Sequence, residues 1–180
     1  MNYNFTAQIG VIGDSKIRSK NQFEICFELG QEIALANAVL ICGGRGGVME
    51  AVSKGVYDSG GLSIGILPTD EKDPEVNEYI TIKIPTYLHW ARNALIPLAS
   101  DGVIACGGGA GTLSELSYTC MYGKPVVCIT SISGWSRIIG NRGTIESCTE
   151  KSSSLIETAT KGKEAVEKIL TMISRTKQGK

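Results

Sequence analysis

Two apolar runs in this chain end in glycine clusters that open directly into helical segments, and few folds accommodate that grammar twice. The downstream copy is V-I-A-C-G-G-G-A-G-T-L-S-E from Val103 to Glu115, and the upstream copy is V-L-I-C-G-G-R-G-G-V-M-E from Val39 to Glu50. In each, a short β-prone run meets glycines that permit a tight turn and a close backbone approach. The helix that follows presents unbonded N–H groups and the positive end of its dipole, which together suit a phosphate. The residues expected to hold one are Gly43, Gly44, Arg45, Gly46 and Gly47 in the first turn, and Gly108, Gly109, Ala110, Gly111 and Thr112 in the second.

The rest of the chain repeats the alternation. Strands are predicted at Gln8–Ile12, Ala38–Cys42, Leu62–Leu67, through Ile80, Ile82 and Ile84, and at Gly102–Cys106, Val126–Ile129 and Leu155–Ala159. Helices are predicted at Asn21–Asn37, Gly47–Ser59, Tyr87–Ala99, Thr112–Tyr122 and Gly162–Arg175. In the first helix Phe23, Phe27, Ile33 and Ala34 recur at helical spacing. Thr69–Glu78 reads as a polar surface loop, Ser131–Ser154 as a loop with a short helix near Trp135–Ile139, and Thr176–Lys180 as a loose tail. Strands and helices alternating at this density imply an α/β fold with a mainly parallel sheet covered on both faces. No linker divides the 180 residues, so they are read as one domain. Ligands of such folds sit beyond the carboxyl ends of the strands, where both glycine clusters fall.

Composition narrows the function. Eighteen Lys and Arg balance 18 Asp and Glu, which argues against a nucleic-acid surface. Six cysteines form no C-x-x-C pair and there is one histidine, His89, so a zinc site is not expected and the cysteines read as buried, reduced thiols. There is neither a signal-peptide pattern nor an apolar run near the ~20 residues that span a bilayer, and the protein is expected in the cytoplasm, away from membranes.

The familiar phosphate motifs do not fit. The dinucleotide fingerprint G-x-G-x-x-G should follow the first strand, but that strand ends in Gly13-Asp14-Ser15. Thr112 stands where the downstream cluster would need its third glycine. Neither G-x-x-x-x-G-K-[ST] nor G-x-S-x-G occurs, and no lysine has a pyridoxal-phosphate context.

Two charged residues carry competing readings. Glu115 follows Thr112 by three, the spacing of a capping box in which the glutamate merely reaches back to the start of its helix. Alternatively its carboxylate lies beside a bound anion, where it orients water or stabilises a cationic sugar centre. Arg92 reads as a solvated or ion-paired surface residue of its helix, or as a ligand contact. Arg45, inside a glycine loop with little to pack on, reads as an anion contact, His89 as a helix-surface or partly buried packing residue, and Trp135 as core or interface packing in preference to base stacking.

These segments resemble the LOG phosphoribohydrolases, which activate cytokinins, and their relatives the molybdenum-cofactor carrier proteins. The family hallmark P-G-G-x-G-T-x-x-E matches Gly107-Gly108-Gly109-Ala110-Gly111-Thr112-Leu113-Ser114-Glu115, with glycine for proline. The upstream G-G-G-x-x-G-L-M-G matches Cys42-Gly43-Gly44-Arg45-Gly46-Gly47-Val48-Met49-Glu50, with its first and last glycines replaced. The hydrolases' M-H-x-R-K matches His89-Trp90-Ala91-Arg92-Asn93, where only the arginine is kept. The resemblance implies a Rossmann-like three-layer α/β/α sandwich, a homodimer, and a nucleoside monophosphate or similar phosphate-bearing ligand. It implies Arg92 and Glu115 as the catalytic pair for N-glycosidic cleavage to base and ribose 5-phosphate, without cofactor or metal. The carrier-like branch implies instead non-catalytic binding of a phosphorylated pterin.

Overall fold

The computed structural model describes residues 4–70, 72–145 and 156–178. Seven strands form one parallel sheet in the order β4-β3-β2-β1-β5-β6-β7. They are β1 (Gln8–Gly13), β2 (Val39–Cys42), β3 (Leu62–Leu67), β4 (Ile82–Pro85), β5 (Gly102–Cys106), β6 (Val126–Ile129) and β7 (Ile156–Ala159). The helices are α1 (Lys20–Leu35), α2 (Val48–Asp58), α3 (Leu95–Ala99), α4 (Ala110–Met121), α5 (Trp135–Arg142) and α6 (Gly162–Gln178).

Strand periodicity divides the core into two. Ile9 and Val11 of β1 and Ile104 and Cys106 of β5 face one side, where Leu29, Ile33, Val52, Val56, Ile169 and Ile173 of α1, α2 and α6 cover them. Ile12, Val103 and Ala105 face the other side, under Ile96, Leu116 and Ile139 of α3, α4 and α5. The result is a Rossmann-like three-layer fold. Helices α1 and α2 touch backbone to backbone: a Cβ on Gly30 would lie 3.0 Å from Gly55 Cα. Cys26, Cys42, Cys106, Cys120 and Cys128 are buried, while Cys148 lies outside the described residues.

Several boundaries differ from the sequence reading. The helix expected over Tyr87–Ala99 splits into a 3-10 turn, His89–Ala94, and the short α3. Tyr87 and His89 adopt left-handed backbone, φ 57° and 48°, which keeps a single helix from starting at Tyr87. Pro97 falls in the first turn of α3, where its missing N–H costs nothing. Strand β4 begins only at Ile82, and Ile82 and Ile84 are both exposed on this edge strand while Ile80 is buried. The expected tail at Thr176–Lys180 is corrected: α6 continues through Gln178, extending the same amphipathic helix. Helix α5 runs three residues past Ile139, to Arg142, and ends on left-handed Gly143. Leu155 and residues 146–154 of the expected loop lie outside the described residues.

Candidate functional site

Strand order reverses at β1, which has β2 on one side and β5 on the other. The loops leaving these strands converge at this switch point, the usual position of a ligand crevice. Asp14, the residue after β1, ties them together. Its backbone oxygen accepts from Val48 N at the start of α2 (2.9 Å). Its Oδ2 accepts from Gly108 N (3.0 Å) and Gln22 Nε2 (3.3 Å), and its Oδ1 accepts from Arg18 Nη2 (3.1 Å). The carboxylate is buried. Gly107 and Gly108 bend around it with φ of +70° and +99°, and a Cβ on Gly107 would sit 2.6 Å from Oδ2.

The capping-box reading of Thr112 and Glu115 is overturned. Gly109 is the N-cap of α4 and no side chain caps this end. The helix begins three residues earlier than a Thr112 cap requires, so Thr112 is already its third residue and Glu115 lies in the second turn. Both are buried. Glu115 Oε1 instead faces Arg92 Nη1 at 3.9 Å, an ion-pair distance too long for a hydrogen bond. Burial pushes the Glu115 carboxyl up to about 8, with Arg92 pulling the other way. Arg92, only 8% exposed, is not the solvated helix residue of the alternative reading. Its Nε and Nη1 have no hydrogen-bond partner among the described residues. Burial pulls its pKa down and the Glu115 charge pulls it back up. A buried guanidinium with unmet donors in a cleft is chemically suited to donate to an anion or another oxygen.

Gly43 makes room for that guanidinium. A Cβ there would collide with Arg92 Nη1 and lie 2.7 Å from Met49 Sδ. Gly43→Ala is therefore expected to cost about 1–3 kcal/mol through overpacking. Thermal melts of a double-mutant cycle check this: the penalty should shrink in an Arg92→Ala background, where the guanidinium is gone.

Arg45 also differs from the simple anion-contact picture. Its Nη2 pairs with Asp73 Oδ2 and Glu75 Oε2, both at 2.8 Å, and its carbonyl accepts from Asn77 Nδ2 (2.9 Å). Asp73 is pulled down to about 2, by the Thr69 hydroxyl first, then the Glu75 N–H and Arg45. The 69–78 loop is thereby latched onto the first glycine turn.

The cleft measures about 840 Å³. Gly43, Arg45, Gly46, Arg92, Gly109, Ala110, Gly111, Thr112 and Glu115 line it. Three predicted residues do not. Gly44 donates to Cys42 Sγ (3.4 Å), Gly47 caps α2, and Gly108 spends its N–H on Asp14. The first intrahelical bond of α4 runs from Leu113 N to Gly109 O (3.0 Å), so the N–H groups of Ala110, Gly111 and Thr112 have no partner within the helix. Trp90, at the mouth, and Asp14 also line the cleft, although sequence reasoning placed neither there. Asp14 was visible only as the polar member of a turn. Trp135 is half-buried with its side chain against the second core, as packing predicts, and its backbone N–H donates to Gly108 O (3.0 Å). His89 is exposed. Among the described residues no group of His, Cys, Asp or Glu is placed to hold a metal ion, and no helix is long and apolar enough to cross a membrane.

Residues 6–168 match the family model described as LDcluster4, the SLOG cluster4 family. The chain belongs to the SLOG cluster4 family. An uncharacterised protein of Archaeoglobus fulgidus is 42% identical to this SLOG cluster4 chain over 122 residues, 68% of this chain and 79% of the relative. The cytokinin riboside 5′-monophosphate phosphoribohydrolase LOG4 of Arabidopsis thaliana is 33% identical over 107 residues. That match takes in 58% of this chain and about half, 49%, of the plant enzyme. Among solved structures, the molybdenum cofactor binding protein of Rippkaea orientalis superposes with a TM-score of 0.77 at 35% identity, covering 92% of this chain and 96% of that one. The similarity of the SLOG cluster4 chain to both LOG hydrolases and molybdenum-cofactor proteins agrees with the resemblance carried by its glycine motifs.

Proposed function

We propose that this protein binds a nucleoside monophosphate, or a similar phosphate-bearing molecule, in the cleft and hydrolyses its N-glycosidic bond. The observation that carries the reading is the buried Arg92–Glu115 pair, in which the arginine Nε and Nη1 make no hydrogen bond and burial pushes the carboxyl up to about 8. The phosphate rests on the open N–H groups of Ala110, Gly111 and Thr112, with the dipole of α4 behind it. Arg92 donates to a ligand oxygen. At neutral pH Glu115 is the acid form and can protonate the leaving base as the C1′–N bond breaks, its electron pair departing with the base. The resulting carboxylate stabilises the oxocarbenium-like centre and takes a proton from the water that bonds to C1′, which restores the acid. The products are free base and ribose 5-phosphate. The activity of the hydrolase relatives supports this reading, and the resemblance adds a homodimer, which light scattering tests.

A second reading has its own support. Trp90 and Asn93 stand where the hydrolase motif has histidine and lysine, and Asn93 Nδ2 is engaged with Ser114 Oγ (2.9 Å). A carrier of a phosphorylated pterin would use the same phosphate cradle and need no acid. The deciding experiment incubates the protein with AMP, GMP, CMP and UMP and follows free base by chromatography. Release from any of them supports hydrolysis. Binding without release supports the carrier.

A further inference from the structure

Trp90 is 80% exposed, ahead of the other exposed large apolar side chains such as Leu35 at 73% and Met121 at 70%. It is not loosely placed. The segment bearing it is pinned to the end of β3: Thr86 N and Thr86 Oγ1 donate to Leu67 O at 3.1 and 2.7 Å, and His89 N donates to Pro68 O at 3.1 Å. Tyr87 and His89 hold left-handed backbone, φ 57° and 48°, strain that this segment tolerates on either side of Leu88. The turn that follows sends Arg92 to the floor of the cleft and leaves Trp90 at its mouth. A Cβ built on Gly111 would lie 3.8 Å from Trp90 Cζ3 and 3.7 Å from Asn93 Nδ2. The indole edge therefore stands beside the first turn of α4 and lines the same cleft as the backbone proposed to hold the phosphate.

We infer that Trp90 is the platform on which the planar heterocycle of the ligand stacks, so that it selects for base-bearing over base-free phosphates. This rests on the reading that the cleft takes a phosphate-bearing molecule. An aromatic face tolerates any purine, pyrimidine or pterin ring, because every such ring offers a π-face, and hydrogen bonds would have to supply finer selection. The Asn93 amide, which lines the cleft beside Gly111 and spends one N–H on Ser114 Oγ, keeps its oxygen and second N–H to supply one.

The test compares wild type, Trp90→Ala and Trp90→Phe by calorimetry with AMP and with ribose 5-phosphate, which shares the phosphate and sugar but has no ring. Trp90→Ala is expected to weaken AMP about tenfold or more while ribose 5-phosphate changes less than about twofold. Trp90→Phe should recover most of the AMP affinity. AMP should also quench wild-type tryptophan fluorescence and leave Trp90→Phe, which retains only Trp135, unquenched. The inference is overturned if Trp90→Ala weakens both ligands equally, leaves AMP unchanged, or alters only the oligomeric state. Wild type binding ribose 5-phosphate as tightly as AMP sinks the stacking role alone. Wild type binding neither overturns the phosphate reading along with it.

Discussion

Glu115→Gln is expected to lose about a thousandfold or more in base release while its affinity for AMP stays within about threefold of wild type. The amide keeps the shape of the buried acid but cannot give up a proton to the leaving base, and general acid–base groups contribute about 10²–10⁴-fold. Phosphate contacts at the first turn of α4 do not involve this side chain, so binding by calorimetry should persist. Wild-type turnover should fall as pH rises above about 8, where the acid form is lost. The same variant reports on stability with a definite sign. The carboxyl is raised from an ordinary 4.5 to about 8 by burial. The stability this group contributes is fully present below about 4.5 and is lost as pH rises through about 8. Wild type should therefore lose stability across that window by an amount on the order of a few kcal/mol. Glu115→Gln should lack that component and melt above wild type at pH 8.5. Equal slopes of melting temperature against pH for the two proteins would show that Glu115 is ionised throughout.

The second large effect concerns Asp14. Removing its carboxylate strands Gly108 N–H and the Gln22 amide, both buried groups that have no access to bulk water in exchange. Each unsatisfied buried donor costs about 1–3 kcal/mol, so Asp14→Ala should lose about 2–4 kcal/mol in all. For a chain of this size that corresponds to a drop of about 5–15 °C in melting temperature. Arg18, the third partner, is 72% exposed, and Arg18→Ala should change stability by no more than about 0.5 kcal/mol. A loss of similar size in the two variants would mean that the salt bridge, rather than the loop tether, is what matters.

Much of this architecture is readable in the chain because it depends on local signals. Apolar runs of four to six residues such as Val126–Ile129 and Leu62–Leu67, set off by glycine and proline, mark strands without reference to partners. The glycine clusters mark their own turns, and the resemblance to the LOG motifs, rather than spacing, singles out Arg92 and Glu115. The failures share a different cause. T-x-x-E looks like a helix start because capping signals are local, yet α4 starts at Ala110 and buries the motif beneath Arg92 from another segment. The role of Asp14 depends on an amide 94 positions away, and the neutralisation of Arg45 depends on Asp73, 28 positions on. Left-handed backbone at two ordinary residues, Tyr87 and His89, has no glycine to announce it.

The Asp14–Gly108 bond also bears on when the cleft comes into being. Its two ends are 94 residues apart, and β5 must dock beside β1 before it can form. The entropy of closing so long a loop is lost before any local contact at the site compensates it, which places the binding crevice among the last features to mature during folding. A nascent chain that has emerged only as far as α3 holds Asp14, Gly43 and Arg92 but neither Gly108 nor Glu115. Such a chain has no crevice with which to capture ligand, so a ligand can reward only the completed sheet.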